Sequence, residues 1–250
     1  VTGVQTCALP IYSLYGNSFE WRFEFPEVLD QNGTFTGFDA IIGNPPYYQI
    51  QYADFDFNAI KHLYAVFEAR GDIYSLFVEL GTKLLKPNGQ LSFIVSNRFC
   101  NTNYGKTLRK YLSDFQINRM VKTNVDLFSK ANVGTLIFVL TKKECTDNQT
   151  GIANLADSFD TKNFREIIEQ NMIFVRQKHF TDKQWIFDNE LALTIKNKMD
   201  KSGSPFAKQK DLKINRGITT GANSVFIVSK DKAEKWISKN PMYKEILKPV

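Results

Sequence analysis

The sequence predicts an α/β protein with a parallel sheet, and three consecutive stretches lead to that prediction. Residues Ala40–Gly43 carry no charge, and such a short apolar run is typical of a strand buried on both faces of a parallel sheet. A second strand is predicted at Leu91–Val95, after a helix that ends at Pro87–Gly89. This strand–helix–strand order implies a right-handed crossover between parallel strands. The helix is predicted from apolar residues at helical spacing, namely Ile73, Leu76, Phe77, Leu80 and Leu84.

The tetrapeptide Asn44-Pro45-Pro46-Tyr47 ends the first strand. Proline has no N–H for a sheet ladder and holds the residue before it in extended geometry. The strand therefore stops abruptly, and an amide, two rigid carbonyls and a phenol ring lie at its carboxyl edge. Open α/β sheets bind their ligands at this edge.

These four residues suit chemistry on a planar exocyclic amine, whose lone pair is delocalised into its ring. Two acceptors aimed at the two amine hydrogens would favour the pyramidal, nucleophilic form in the transition state. The side-chain oxygen of Asn44 and the main-chain oxygen of Pro45 can be these acceptors. The ring of Tyr47 can stack on the ring that carries the amine and hold the amine in line with an electrophile. This chemistry requires neither a metal nor a covalent intermediate.

The stretch Phe38–Tyr47 resembles the catalytic motif of amino-methyltransferases that use S-adenosylmethionine. The surrounding sequence narrows the resemblance to adenine-N6 DNA methyltransferases of bacterial restriction–modification systems, and above all to large fused enzymes that also recognise and cleave DNA. Further matching segments are Glu24–Val28, Leu84–Gly89, Phe93–Asn97, Asn215–Ile218 and Thr220–Gly221.

The resemblance implies a Rossmann-like methyltransferase sheet, S-adenosylmethionine as cofactor and an adenine that is flipped out of duplex DNA. It implies catalytic roles for Asn44, Pro45, Pro46 and Tyr47, with Asn44 and Pro45 also facing the cofactor. It further implies that Phe128 packs on the face of the target base opposite Tyr47, although a core position for Phe128 is nearly as well supported.

The family's glycine-rich cofactor turn, and the acidic residue on the strand after it, are not visible before Asn44. We therefore expect an internal fragment that contains only the C-terminal part of the sheet and binds S-adenosylmethionine weakly or not at all. Residues 1–11 resemble translated sequencing-adapter DNA and are excluded from the fold prediction. The predicted domains are a catalytic part at 12–143, a linker with bridging helices at 144–204, and the start of a target-recognition domain at 205–250.

Other elements follow from local patterns in the chain. A helix is predicted at Tyr104–Phe115, and strands at Ile117–Val121 and Thr135–Thr141. The polar and aromatic stretch Tyr48–Arg70 is either a lid or DNA-facing loop, or an ordinary surface helix over its second half, 59–70. The segment Cys145–Gly151 is interpreted as a polar linker, and residues 155–200 as helix, strand and helix.

The charge of the chain is uneven, which points to a polyanionic partner. The net charge of the 250 residues is +6, and residues 176–250 hold 16 Lys and Arg against 8 Asp and Glu. A lysine-rich face that only contacts solvent would give the same pattern. Four basic residues are the predicted contacts to duplex DNA: Lys208, Lys210, Lys213 and Arg216.

Composition excludes several other kinds of protein. The three cysteines and two histidines show no metal-ligand or redox spacing, so we predict no metal and a cytoplasmic setting. No apolar run approaches the ~20 residues of a membrane span.

The predicted function is methylation of adenine N6 in DNA within a restriction–modification system, with the possibility of a nuclease domain in the same parent protein left open. Cytosine C5 chemistry is excluded, since it needs a cysteine after a proline and no Pro-Cys pair occurs. Cytosine N4 chemistry stays open. The alternatives are an amino-methyltransferase acting on protein glutamine or ribosomal RNA, and a DNA-specificity subunit without activity.

Overall fold

The computed structural model describes residues 21–123, 134–146, 148–155, 163–204 and 228–247. The chain divides into two compact units, residues 1–196 and 197–250. In the described residues the strands are β1 (Phe38–Gly43), β2 (Leu85–Ser96), β3 (Phe115–Thr123), β4 (Thr135–Glu144), β5 (Gln149–Leu155) and β6 (Ile173–Arg176). The helices are α1 (Trp21–Glu24), α2 (Tyr74–Leu84), α3 (Lys106–Ser113), α4 (Phe164–Asn171), α5 (Glu190–Ser202), α6 (Lys230–Lys239) and α7 (Tyr243–Ile246).

The six strands form one mixed sheet in the order β1-β2-β4-β3-β5-β6. Strands β1 and β2 are parallel and are joined through α2, which confirms the predicted crossover and the α/β, Rossmann-like class. Strand β4 lies antiparallel between β2 and β3, β5 is parallel to β3, and β6 is antiparallel to β5. The parallel pair at one end of the sheet therefore carries the tetrapeptide Asn44–Tyr47.

The prediction that β1 is buried on both faces is wrong. In the described part of the chain β1 pairs with β2 alone, and the side chain of Ile42 is 87% exposed. Ile41, on the opposite face, packs against the hydrophobic core. The apolar run indicated residues that can be buried, but burial also requires neighbouring elements, and within the described residues β1 has a paired strand on one side only.

The buried face of α2 matches the predicted one only in part, since Leu76 is buried and Ile73 packs against the core as predicted. Tyr74, Leu76 and Val78 are buried, whereas Phe77 is exposed and lines an apolar groove with Ile42. The helix approaches β2 closely at Gly81, where a Cβ would lie 2.8 Å from Leu91 Cδ1. The face of α2 that packs on the sheet is thus centred on Tyr74 and Gly81, which the apolar spacing did not include.

The turn at Pro87–Gly89 loops out of β2 and does not separate it from α2. The register jumps from Phe38 opposite Leu85 to Ala40 opposite Gln90. Asn88 lies within this loop with φ = 64°, a left-handed conformation that asparagine tolerates. The predicted strand Leu91–Val95 is therefore the regular part of a longer strand.

Several later elements agree with the sequence prediction. Helix α3 and strands β3 and β4 lie within two or three residues of their predicted bounds, and the helix–strand–helix order after residue 155 is confirmed. The proposed linker Cys145–Gly151 is wrong at its end, because β5 begins at Gln149 and extends the sheet beyond residue 143. Residues 50–63 contain only short 3₁₀ turns, so the surface-helix alternative for 59–70 is also wrong.

One buried glutamine joins three parts of the first unit. The Gln177 side-chain oxygen accepts hydrogen bonds from the Ile117 N–H (2.7 Å) and from the Asn148 amide (2.6 Å). Its amide nitrogen donates to the Phe115 carbonyl at 2.6 Å. Gln177 therefore ties the start of β3 to the segment that follows β6.

The described residues of the second unit are helical. In α6 and α7 the rings of Trp236 and Tyr243 lie 6.4 Å apart, and the Lys232 ammonium lies 5.2 Å from the Trp236 ring centre. Of the predicted start of a target-recognition domain at 205–250, residues 205–227 lie outside the described residues. Among the helices that the structure describes, none has the length and apolar character to span a membrane.

Candidate active site

The tetrapeptide lies at the carboxyl end of β1, immediately after Gly43. The Asn44 side chain is exposed and makes no hydrogen bond within the described part of the chain. Pro45 is buried and Pro46 is exposed. The buried proline restricts the backbone next to an exposed amide, and the ligand contacts predicted for these residues stay a prediction.

Tyr47 is held by the second strand of the parallel pair. Its hydroxyl donates a hydrogen bond to the Ile94 carbonyl of β2 at 2.9 Å. Strand β1 ends at Gly43, opposite Phe93, so the Ile94 carbonyl lies beyond the β1 ladder and can accept this bond. The ring is half-buried, and burial raises the pKa of Tyr47 to about 12. The hydroxyl is therefore neutral near pH 7 and acts as a structural donor.

Glycine is required where β1 meets the tetrapeptide. A Cβ at Gly43 would lie 2.9 Å from Cε1 of Phe93, which is buried in β2. Any larger residue would push the Phe93 ring or the strand aside, and Asn44 would move with the strand. The Phe93 ring in turn packs edge-to-face on Phe138 of β4, at 6.4 Å. The position of Asn44 thus depends on packing from two neighbouring strands.

The turn at Asn97–Cys100 lies at the carboxyl end of β2, next to the tetrapeptide. The Ser96 hydroxyl accepts a hydrogen bond from the Arg98 N–H at 3.3 Å, and the Asn97 amide donates to the Thr123 carbonyl at 3.2 Å. The exposed Arg98 is a cation at the same edge of the sheet as Asn44. The segment after β2 is thus an ordered 3₁₀ turn.

A buried arginine that the sequence analysis missed holds this turn in place. Arg109 of α3 donates to the carbonyls of Phe99, of Thr102 (2.8 Å) and of Asp182 (3.0 Å). Burial lowers the pKa of Arg109 from its usual value, with partial compensation from Cys100 and Asp182. The only sequence feature that could have indicated the burial of Arg109 is its place next to the apolar Leu108 in the predicted helix Tyr104–Phe115.

Several predicted site residues cannot be placed. Phe128 lies outside the described residues, as do the four predicted DNA contacts, namely Lys208, Lys210, Lys213 and Arg216. Of the predicted site residues, the structure thus places Asn44, Pro45, Pro46 and Tyr47 at the end of β1, and their roles stay predictions. In the ranges that are described, no three His, Cys, Asp or Glu side chains are grouped as metal ligands.

The arrangement has the parts needed to orient a planar amine. An exposed amide oxygen and an adjacent main-chain carbonyl can each accept a hydrogen bond. An aromatic ring three residues further on is anchored to the neighbouring strand. Such preorganised acceptors stabilise a developing charge without reorganising during the reaction.

Comparison with known proteins shows which family this part of the chain is similar to. Residues 11–133 match the family model described as Eco57I restriction-modification methylase. The type II restriction enzyme and methyltransferase RM.Eco57I of Escherichia coli is 24% identical over 210 residues, which cover 79% of this chain and 20% of that protein. The type II methyltransferase M.BstVI of Geobacillus stearothermophilus is 26% identical over 213 residues, covering 76% and 37% respectively.

A third relative agrees with these two. The type II methyltransferase M.AccI of Acinetobacter calcoaceticus is 25% identical over 216 residues, covering 80% of this chain and 38% of that protein. The chain thus spans from one fifth to about two fifths of the length of these relatives. The resemblance to restriction–modification methylases predicted from the tetrapeptide and its flanking segments is confirmed, and over residues 11–133 the chain is similar to the Eco57I restriction-modification methylase family.

Proposed function

We propose that this chain is the catalytic part of a DNA methyltransferase of a restriction–modification system, and that it methylates adenine N6. One observation carries the proposal. The exposed Asn44 amide and the anchored Tyr47 ring lie together at the carboxyl end of a parallel strand pair. The names of the relatives support DNA as the substrate, and the order of the four residues supports an exocyclic amine as the acceptor.

The proposed mechanism assigns one task to each residue. The Asn44 side-chain oxygen and the Pro45 carbonyl accept hydrogen bonds from the two N6 hydrogens, which localises the amine lone pair. Tyr47 stacks on the adenine ring and keeps the amine between these acceptors. The adenine must leave the duplex to reach them, which costs a few kcal/mol of unstacking. Stacking on Tyr47 offsets part of that cost.

S-adenosylmethionine, when bound, supplies the electrophilic methyl group. Asn44 and Pro45 are the residues of this chain that would face it, because they are at the open end of β1. With it bound, the N6–methyl bond would form as the sulfonium–methyl bond broke, and the methylated amine held by Asn44 and Pro45 would then lose a proton. The exposed side of Asn44 lets that proton reach water.

Contacts outside the described residues complete the proposal. Phe128 would pack on the face of the base opposite Tyr47, and the basic residues between Lys208 and Arg216 would contact phosphates in a target-recognition domain. A nuclease domain elsewhere in the same protein is proposed from the relative that is named as both restriction enzyme and methyltransferase.

The test is methyl transfer by the intact protein that contains this chain. Duplex DNA is incubated with labelled S-adenosylmethionine, digested to nucleosides and separated, and the label is expected in N6-methyladenine. Label in N4-methylcytosine would refute the adenine assignment. Label in RNA or in protein glutamine, with none in DNA, would refute DNA as the substrate.

Asn44 variants link that activity to the proposed site. Asn44→Ala should lower single-turnover methylation about 100- to 1,000-fold, as measured for loss of one preorganised oxyanion donor in other enzymes. Asn44→Asp should retain more activity, because a carboxylate still accepts the hydrogen bond although its charge is costly in a dry site. Asn32→Ala is the control, since Asn32 is also exposed and its side chain makes no hydrogen bond in the described chain. Normal turnover in Asn44→Ala would contradict the mechanism.

A further inference from the structure

A file of aromatic rings extends behind Tyr47 into the core. The rings of Tyr47 and Tyr74 meet edge-to-face, with centroids 6.2 Å apart and an interplanar angle of 82°. Tyr74 meets Phe99 at 6.2 Å, and Phe99 meets Trp185 at 5.6 Å, again edge-to-face. Tyr74, Phe99 and Trp185 are buried, so the half-buried Tyr47 is the outer end of the file.

Tyr74 contacts its aromatic neighbours through its ring, and its hydroxyl makes no hydrogen bond within the described residues. Tyr74 is 0% exposed, and its hydroxyl lies near the Asp72 carboxylate without forming a regular hydrogen bond to it. That carboxylate accepts instead from the Tyr104 hydroxyl, at a long 3.4 Å. Burial and the neighbouring carboxylate raise the pKa of Tyr74 well above its usual value, so the residue is neutral. The contact that Tyr74 makes with Tyr47 is therefore made by its ring.

Two contacts of the Tyr47 ring within the described residues restrain different motions. The hydrogen bond from the Tyr47 hydroxyl to Ile94 fixes the far end of the ring. It leaves rotation about the axis from Cβ to the hydroxyl unrestrained, because the hydroxyl oxygen lies on that axis. The Tyr74 ring lies nearly perpendicular to the Tyr47 ring at 6.2 Å, and rotation of Tyr47 about this axis would change that angle and disrupt the edge-to-face contact.

We propose that Tyr74 is a positioning residue that sets the plane of the Tyr47 ring for stacking on the target base. The inference rests on the proposed function, because it concerns the same base-binding site. The role belongs to the aromatic ring of Tyr74 and is independent of its hydroxyl. A residue that only filled the core would leave the plane of Tyr47 unchanged when replaced by another side chain of similar volume.

The test uses the intact protein and a duplex with 2-aminopurine in place of the target adenine. A base stacked on Tyr47 is quenched, so loss of the correct ring plane increases 2-aminopurine emission. Tyr74→Leu should increase emission, weaken target-site binding about tenfold, within the range of base–aromatic stacking, and leave binding to non-target DNA unchanged. Tyr74→Phe should match the unchanged protein in all three measurements, because it keeps the ring.

The control is Phe180→Leu. Phe180 is 1% exposed, belongs to the same core and packs on Trp185, at the far end of the file from Tyr47. It should lose stability like Tyr74→Leu while its emission and target-site binding stay normal. Equal behaviour of Tyr74→Leu and Phe180→Leu would overturn the proposal. Absence of adenine methylation by the unchanged protein would instead refute the proposed function.

A measurement on the unchanged protein covers the case in which Tyr74→Leu does not fold. With selectively labelled tyrosine, a ring held at both restraints flips slowly, so the two edges of Tyr47 give separate NMR signals. The signals are assigned by their loss in Tyr47→Phe. Separate signals that merge into one in Tyr74→Met, whose flexible side chain fills buried space without a ring plane, would support the proposal. One averaged signal in the unchanged protein would overturn it.

Discussion

Removal of the Tyr47 hydroxyl tests the anchor that ties the stacking ring to β2. Tyr47→Phe keeps the ring and deletes one hydrogen bond of 2.9 Å to the Ile94 carbonyl. An intramolecular hydrogen bond contributes about 1 kcal/mol net, and leaving a buried partner without one costs about 1–3 kcal/mol. Tyr47 is only half-buried, so water can reach the carbonyl in part. We expect the free energy of unfolding to fall by about 1–2 kcal/mol.

The pH dependence of this difference provides an independent check. Burial raises the pKa of Tyr47 from 10.0 to about 12, so the folded protein keeps its proton where the unfolded chain loses it. The stabilisation is therefore fully present below about pH 10 and is lost as the pH rises towards 12. Because Tyr47→Phe cannot ionise, the difference in unfolding free energy between the two proteins should narrow across this window.

Urea unfolding followed by tryptophan fluorescence measures both effects. Trp185 is 2% exposed and lies between Phe99 and Phe180, so its emission reports on the core that Tyr47 joins. With a urea slope of ~2 kcal/mol per molar, the midpoint should fall by about 0.5–1 M at unchanged slope. Tyr48→Phe is the control, because the Tyr48 ring is 44% exposed and its hydroxyl makes no hydrogen bond in the described residues. An unchanged midpoint in Tyr47→Phe, or a difference that stays constant from pH 8 to 12, would refute the anchor.

Three further predictions concern other parts of the chain. Gln177→Ala should lower the free energy of unfolding by about 3–6 kcal/mol, because the buried Ile117 N–H, the Asn148 amide and the Phe115 carbonyl each lose a hydrogen bond. Chemical denaturation measures this change, and a loss under 1 kcal/mol would contradict it. Neutralising Lys208 and Lys210 in the intact protein should flatten the salt dependence of DNA binding by up to ~2 units of slope, whereas an unchanged slope would rule out phosphate contacts. Phe128→Ala should weaken target-site binding, by about 1–3 kcal/mol, and leave cofactor affinity normal, and calorimetry with each ligand separates the two.

The parts of the fold that could be predicted have local causes. The end of β1 follows from Pro45 and Pro46, which act on their own backbone and on the residue before them. The crossover through α2 follows from sequence distance and chirality. Strands β3 and β4 were visible as β-branched and apolar runs bounded by polar residues. The position of the tetrapeptide Asn44–Tyr47 after β1 was predictable for the same local reason, and its catalytic role stays a prediction.

The parts that could not be predicted depend on distant partners. Strand β5 begins in a polar segment because the Thr150 hydroxyl is satisfied by the Ile117 carbonyl of β3, at 2.8 Å, and composition alone does not show this bond. Arg109 is buried because three carbonyls from two other segments surround it. Tyr74 acquires its role only through contact with Tyr47, 27 positions earlier in the chain. The local sequence around Thr150, Arg109 and Tyr74 does not show the buried contacts that these residues make in the fold.

Within the described residues β1 is the outer strand of the sheet, so the candidate site there spans two levels of local stability. An inner strand such as β4 is bonded on both sides, whereas β1 is bonded only to β2 in the described chain, so its amides should exchange with solvent deuterium first. Asn44 is attached to this outer strand, while Tyr47 is tied to β2. When β1 separates from β2, Asn44 should move with β1 while the Tyr47 ring stays bonded to β2. A ligand that contacts both residues would therefore slow the exchange of β1 and couple its own binding to the closing of the edge.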